Sequence, residues 1–181
     1  MPDRPKPIDR YTFTPQDHLF FDTNVWVFLF GSHYRPPNSQ EALYSIAFKK
    51  IRESGCRIVI DAIVLSEFVN RLARLAYHHL PSSKRPREFK DYRKSTAFRP
   101  VAKAIADACR RILAVSTPVE SEFASLDLSA IFAQFESGRC DFNDHLLAAL
   151  CGHRGFILVT HDSDFRGKNI PILTANSRLL R

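Results

Sequence analysis

Apolar positions fall along the chain in two rhythms. One is a set of short unbroken runs: "HLFFD" at 18–22, "CRIVID" at 56–61, "FILVT" at 156–160, and a weaker "IPIL" at 170–173. Runs of this length, rich in β-branched and aromatic residues, predict strands buried on both faces. The other rhythm is helical. "SQEALYSIAFKKIRESG" (39–55) opens on Ser39 as a candidate cap, carries Leu43, Ile46, Ala47 and Ile51 as its apolar side, and stops at Gly55. "DAIVLSEFVNRLARLAYHH" (61–79) places Val64, Phe68, Leu72 and Leu75 on one side. Helical patterns continue at 100–115, at 120–137 ending before Gly138, and at 141–155, where Leu146, Leu147, Leu150 and Cys151 face inward. Strands alternating with helices predict an α/β fold, a parallel sheet covered on both faces. Residues 1–17, proline-rich and without a period, read as an extended lead-in.

Length and composition narrow the class. The chain's 181 residues suit one domain with a real core. No run approaches the eighteen apolar residues of a membrane span, and the N-terminus lacks the apolar segment of a signal peptide, so a cytoplasmic protein with no membrane partner is expected. Cys56, Cys109, Cys140 and Cys151 form no C-x-x-C pair, which argues against a zinc knuckle and for small buried hydrophobes.

Charge changes the picture more. The formal net charge is +7, which favours a polyanionic partner, nucleic acid first. The stretch 81–100 holds seven Lys/Arg against two acids. It reads either as a solvated loop or as a phosphate-gripping arm. In the second reading Lys84, Arg85, Arg87, Lys90, Arg93 and Lys94 contact RNA, and Phe89, Tyr92 and Phe98 are available for base stacking.

In a parallel sheet the functional crevice lies beyond the carboxyl ends of the strands. Asp22 leaves the first strand, followed by Thr23 and Asn24. Glu67 lies two turns into the helix after the second. Asp141 and Asp144 open the last helix, and Asp162 and Asp164 follow the third strand. Each has a plainer role open to it. Asp22 suits an N-cap, and Asp141 with Asp144 a capping box. Glu67 suits an i,i+4 pair with Arg71, and Asp162 with Asp164 a turn around Ser163. Converging, these acids would repel one another unless neutralised, and Mg²⁺ or Mn²⁺, which prefer oxygen ligands, would serve. Carboxylate-held metal beside a basic surface points to phosphodiester hydrolysis.

"FFDTNVW", "IVLSEFVN", "DHLLAAL" and "LVTHDSDF", in that order, resemble the PIN-domain nucleases, especially the VapC-type toxins of bacterial toxin–antitoxin pairs. The matches are dispersed from about residue 18 to 173. The resemblance implies a PIN-like (Rossmann-like) α/β/α sandwich and a Mg²⁺- or Mn²⁺-dependent endoribonuclease. Its implied catalytic metal ligands are Asp22, Glu67, Asp144 and Asp162, with Asp141 and Asp164 auxiliary. Thr23, Asn24, Ser66 and Thr160 would orient the carboxylates. It implies RNA as substrate, a small antitoxin as partner, and a homodimer. The expected organisation is a lead-in over 1–17, a PIN domain over 18–175 with a basic insertion at about 80–100, and a tail over 176–181. The "CDFND" doublet leaves Asp141 and Asp144 competing as primary ligand, with "DHLLAA" favouring Asp144. Two rivals remain: an inactive RNA-binding module of the same fold, and a phosphatase using Asp22 as nucleophile. The second is weakened by Asn24, which stands where that chemistry wants another aspartate.

Overall fold

Leu19, Phe20 and Phe21 have no exposed face, and this sets the architecture: they lie in a strand with sheet on both sides and helices above and below. The computed structural model describes residues 4–31, 39–138 and 140–181. Among these, six strands form one parallel sheet in the order β1-β6-β5-β2-β3-β4. The four strands expected from apolar runs are β2 (His18–Phe21), β3 (Arg57–Ile60), β5 (Ile157–Val159) and β6 (Ile172–Thr174). The outer two, β1 (Lys6–Pro7) and β4 (Thr117–Pro118), are two residues long. Each carries a proline, which confines a strand to an edge.

Five helices fall on the segments with helical periodicity, with informative differences, and two more, Thr23–Phe30 and Phe89–Lys94, are additional. Helix α1 is Thr23–Phe30, α2 Ser39–Glu53, α3 Ala62–His78, α4 Phe89–Lys94, α5 Phe98–Leu113, α6 Leu128–Phe135 and α7 Phe142–Arg154. The side chain of Ser39, a candidate cap, lies outside the described residues. The α2 stripe is shifted from the expected one: Tyr44, Ala47 and Ile51 are buried, while Ile46 is 54% exposed. With Phe48 packed beside them, these residues follow i, i+3, i+4, i+7. Gly55 ends the segment at φ +74, a conformation that favours glycine. The helix expected over 120–137 is broken, because Asp127 caps a fresh start by accepting from the Ala130 amide at 3.0 Å.

The lead-in is part of the fold: Ile8 is buried, and Lys6 and Pro7 pair with Leu173 and Thr174. Near the other end Leu179 is buried in the same core. Of the four cysteines only Cys151 is fully buried, and all four are free thiols.

The basic stretch is mostly helical, and its aromatic residues point inward. Tyr92 is 2% exposed, with Tyr77 and Phe98 against its ring at centroid distances of 5.7 and 5.2 Å. Phe89 packs edge-on to Tyr77 and lies under the guanidinium groups of Arg74 and Arg93. These rings therefore hold α4 onto α3 and are not available to stack on bases. Arg85 is also occupied: it donates to the Leu80 and His78 carbonyls at the end of α3. Lys84, Arg87, Lys90, Arg93 and Lys94 remain exposed.

Candidate active site

Chain order places a switch point between β2 and β5. From β2 the chain moves outward through β3 to β4, then returns to lay β5 on the other side of β2. Ligands in such sheets bind outside the carboxyl ends of the strands at this reversal. Asp22 and the segment Thr160–Asp162 stand there, joined through the Asp22 amide, which donates to the Val159 carbonyl at 3.0 Å.

Asp22 occupies the N-cap position of α1 but makes no side-chain capping bond. The Thr160 hydroxyl donates to its Oδ2 at 2.6 Å, and the Asn24 amide donates to the same oxygen at 2.5 Å. Thr160 Oγ1 in turn accepts from the Asp162 amide at 2.9 Å, and Asn24 Oδ1 accepts from the His161 amide at 3.0 Å. Burial pushes the Asp22 carboxyl up to about 6; the Thr160 hydroxyl pulls against this, and Glu67 and Asp162 add to it. An acid only 6% exposed, gripped by donors and within the field of other acids, is not simply capping a helix.

The other acids sort by what their oxygens do. Asp141 caps α7: its Oδ1 accepts from the Asp144 amide at 3.0 Å. Asp144 makes no such bond. Its carboxyl is pushed up to about 7 by burial and then by Asp141, Asp22, Asp162 and Asp164. Asp162 Oδ1 accepts from the Asp164 amide at 3.0 Å, closing the turn around Ser163. Glu67 is raised by burial, lowered by Thr23 and Arg71, and raised again by Asp141 and Asp162. Its pair with Arg71, at 4.0 Å and partly exposed, is a weak one. Asp22, Glu67, Asp141, Asp144, Asp162 and Asp164 thus share one electrostatic neighbourhood.

Of the four expected orienting residues, Asn24 and Thr160 bond to Asp22, and the Thr23 hydroxyl donates to the Val64 carbonyl at 3.4 Å while facing Glu67. Ser66 does not reach a carboxylate: its hydroxyl accepts a long 3.5 Å bond from Asn70, because it sits on the outward face of α3. Two further residues support the site. Asp61, at the exit of β3, accepts from the Val64 amide at 2.9 Å and is the true cap of α3. Tyr44, hidden in the α2 stripe, donates to the Thr160 carbonyl at 2.9 Å and accepts from the Ala175 amide at 3.0 Å. It thereby ties the ends of β5 and β6 together. Only the shifted α2 spacing could have pointed to it.

Among the described residues, no three His, Cys, Asp or Glu side chains are gathered closely enough to hold a metal by themselves. The donor set is nonetheless all carboxylate, and its raised proton affinities arise from burial and mutual repulsion. This suits a hard ion such as Mg²⁺, which is usually bound by one or two carboxylates and keeps several waters.

A cluster of acids at the switch point of a parallel α/β sheet, with Asp22 buried, defines the class. The PIN domain model matches residues 19–170, and the chain belongs to the PIN domain family. Among solved structures, VapBC2 from Rickettsia felis, bound to a DNA fragment from the promoter, superposes with a TM-score of 0.56 at 16% identity, covering 86% of this chain and 96% of that one. FitAcB from Neisseria gonorrhoeae gives a TM-score of 0.41 at 20% identity, over 86% and 96%. The first shares the fold. No curated protein matches by sequence.

Proposed function

We propose that the chain is a Mg²⁺- or Mn²⁺-dependent endoribonuclease, the toxin member of a toxin–antitoxin pair. One observation carries the catalytic reading: Asp22 is buried at the switch point, with Oδ2 fixed by Thr160 and Asn24 and its proton affinity raised by Glu67 and Asp162 after burial. Asp22, Glu67, Asp144 and Asp162 would hold the ion, with Asp141 and Asp164 beside them. A bound divalent cation supplies a nucleophilic water at neutral pH and charge stabilisation for the leaving oxygen. The chain's own part is positional. Thr160 and Asn24 orient the Asp22 carboxylate, Asp141 sets the first turn of α7 so that Asp144 stands toward Asp22, and Tyr44 fixes the backbone carrying Thr160. The exposed Lys84, Arg87, Lys90, Arg93 and Lys94 would grip RNA phosphates; Arg85, engaged at the end of α3, would contribute less. The toxin assignment draws on the family and on VapBC2, a complex of this fold. With it come a small antitoxin, a homodimer and a cytoplasmic setting; no helix among the described residues is long and apolar enough to cross a membrane.

The test is cleavage of a mixed RNA pool with Mn²⁺, Mg²⁺ or EDTA, by the protein and by Asp22→Asn and Asp162→Asn. Cleavage that needs the ion and drops at least a hundredfold in both variants is expected. Cutting that persists in EDTA or in Asp22→Asn sinks the reading, and RNA binding without any cutting would leave the inactive module in its place.

A further inference from the structure

Beside the acids, between the end of α6, the start of α7 and the loop leading to β6, lies a cavity of about 190 Å³. At roughly 30 Å³ per water it has room for about six waters or one compact polar group. The cavity's wall is rich in donors. Lys168 Nζ lies 2.7 Å from His145 Nδ1 and 3.2 Å from Gln134 Oε1. An ammonium only donates, so both atoms must accept from it. His145 is then neutral with its proton on Nε2. That nitrogen is buried, on a residue 3% exposed, and has no partner among the described residues. With its Oε1 turned to Lys168, Gln134 keeps its NH₂ group for another acceptor. Arg166 lines the same space and is held by a bond to the Arg178 carbonyl. One carboxylate, Asp164, stands against these two cations; its carbonyl accepts from the Cys140 thiol at 3.3 Å. A cavity walled by two cations and the free NH₂ group of Gln134 is prepared for an anion.

We propose that this cavity holds a phosphate of the RNA strand next to the phosphodiester being cut. The inference rests on the ribonuclease reading and deepens it. His145 adjoins Asp144 in α7, and Asp164 adjoins the turn that carries Asp162, so the cavity and the acid cluster share a wall. A strand whose scissile phosphate lies at the acids would place a neighbouring phosphate on Lys168, Arg166 and Gln134. This anchor is separate from the basic helix α4, and it would fix the register of cutting where α4 only adds affinity.

The test measures binding apart from cleavage. A labelled single-stranded RNA is titrated in EDTA, over a series of salt concentrations, with Asp22→Asn protein and with the same protein also carrying Lys168→Met, Gln134→Leu or Lys168→Arg. Removing one phosphate contact on a single strand lowers the slope of log K against log salt by about 0.7. That change is expected in Lys168→Met, with about tenfold weaker binding. Gln134→Leu should weaken binding without changing the slope, and Lys168→Arg should restore the slope. In parallel, inorganic phosphate is titrated calorimetrically into the Asp22→Asn protein with and without Lys168→Met. Unchanged affinity and slope in both Lys168→Met and Gln134→Leu overturn the proposal. Phosphate binding that depends on Lys168 with no effect on RNA overturns the RNA assignment and leaves a free-anion site. The ribonuclease reading is judged on its own by metal-dependent cleavage, so the two can fail separately.

Discussion

Thr160 is where strand geometry becomes site chemistry. Its hydroxyl donates to Asp22 Oδ2 and accepts from the Asp162 amide, so a single oxygen sets the position of two acids. Thr160→Val keeps the shape and removes both bonds. The Asp22 carboxyl, already near 6, should then rise further, because the hydroxyl is what pulls it down. Cleavage is expected to fall about 10–100-fold, as for other lost supports of a metal ligand. The acid limb of the pH–rate profile should move to higher pH while circular dichroism stays the same; a limb that does not move would show that Thr160 does not tune Asp22. The sequence made Asp22, Asn24 and Thr160 legible because motif and strand exit coincide there. It left Asp141 and Asp144 in competition as ligands; they differ in that Asp141 caps α7 with one oxygen and Asp144 does not. Ser66 misled because adjacency in a motif says nothing of which side of a helix a residue faces. Tyr44 stayed unseen because a phenol in an apolar stripe gives no sign that its hydroxyl will meet a strand end over a hundred residues away.

At the level of elements, the buried strands and most of the helical segments carried through because each is a local pattern. The edge strands did not, since two residues ending in proline have no period to read. The basic insertion divides in the same way. Its charge was visible in the sequence, but the inward turn of its rings is a property of packing. Tyr77, Phe89, Tyr92 and Phe98 form the contact that holds α4 to α3 and α5. Two opposite outcomes follow. Tyr92→Ala should cost about 3 kcal/mol, typical of a buried aromatic, and weaken RNA binding only by loosening α4. Replacing Lys84, Arg87, Lys90 and Lys94 with Gln should leave stability within about 0.5 kcal/mol per site and flatten the salt dependence of binding. Urea denaturation and salt-dependent anisotropy measure the two. Equal loss of stability in both variants would show that the charges are structural. The arm begins at the end of α3, about 16 Å along its axis from Glu67, so it can hold RNA while staying clear of the acids.

The whole molecule is basic, yet Asp22 is buried at the switch point within the field of other acids, and the stability of the fold should record that conflict. An aspartate titrates near 3.8 when unfolded, and Asp22 near 6 when folded. Between those values the folded state holds a proton that the unfolded state has released, so stability falls as pH rises through this window and is flat above it. For Asp22 the loss is about 3 kcal/mol; Asp144, near 7, extends the decline upward. His145 acts in the opposite direction: burial, and then Lys168, lower its proton affinity, so its contribution improves as pH rises toward 6.5. The comparison with Asp22→Asn separates the two, because the histidine is common to both proteins. In EDTA, the melting temperature should drop from pH 4.5 to 7.5 at about 2–4 °C per kcal/mol. In Asp22→Asn the drop should be much smaller, and that variant should be the more stable protein at pH 7.5. Mn²⁺ should reverse the drop in the native sequence, since a cation does for the acids at neutral pH what protons do below it, and it stabilises only the folded state. It should do far less for Asp22→Asn. A melting temperature that holds or rises between pH 5 and 7.5 without metal would mean that the acids are well solvated, and the case for a shared ion would fall with it.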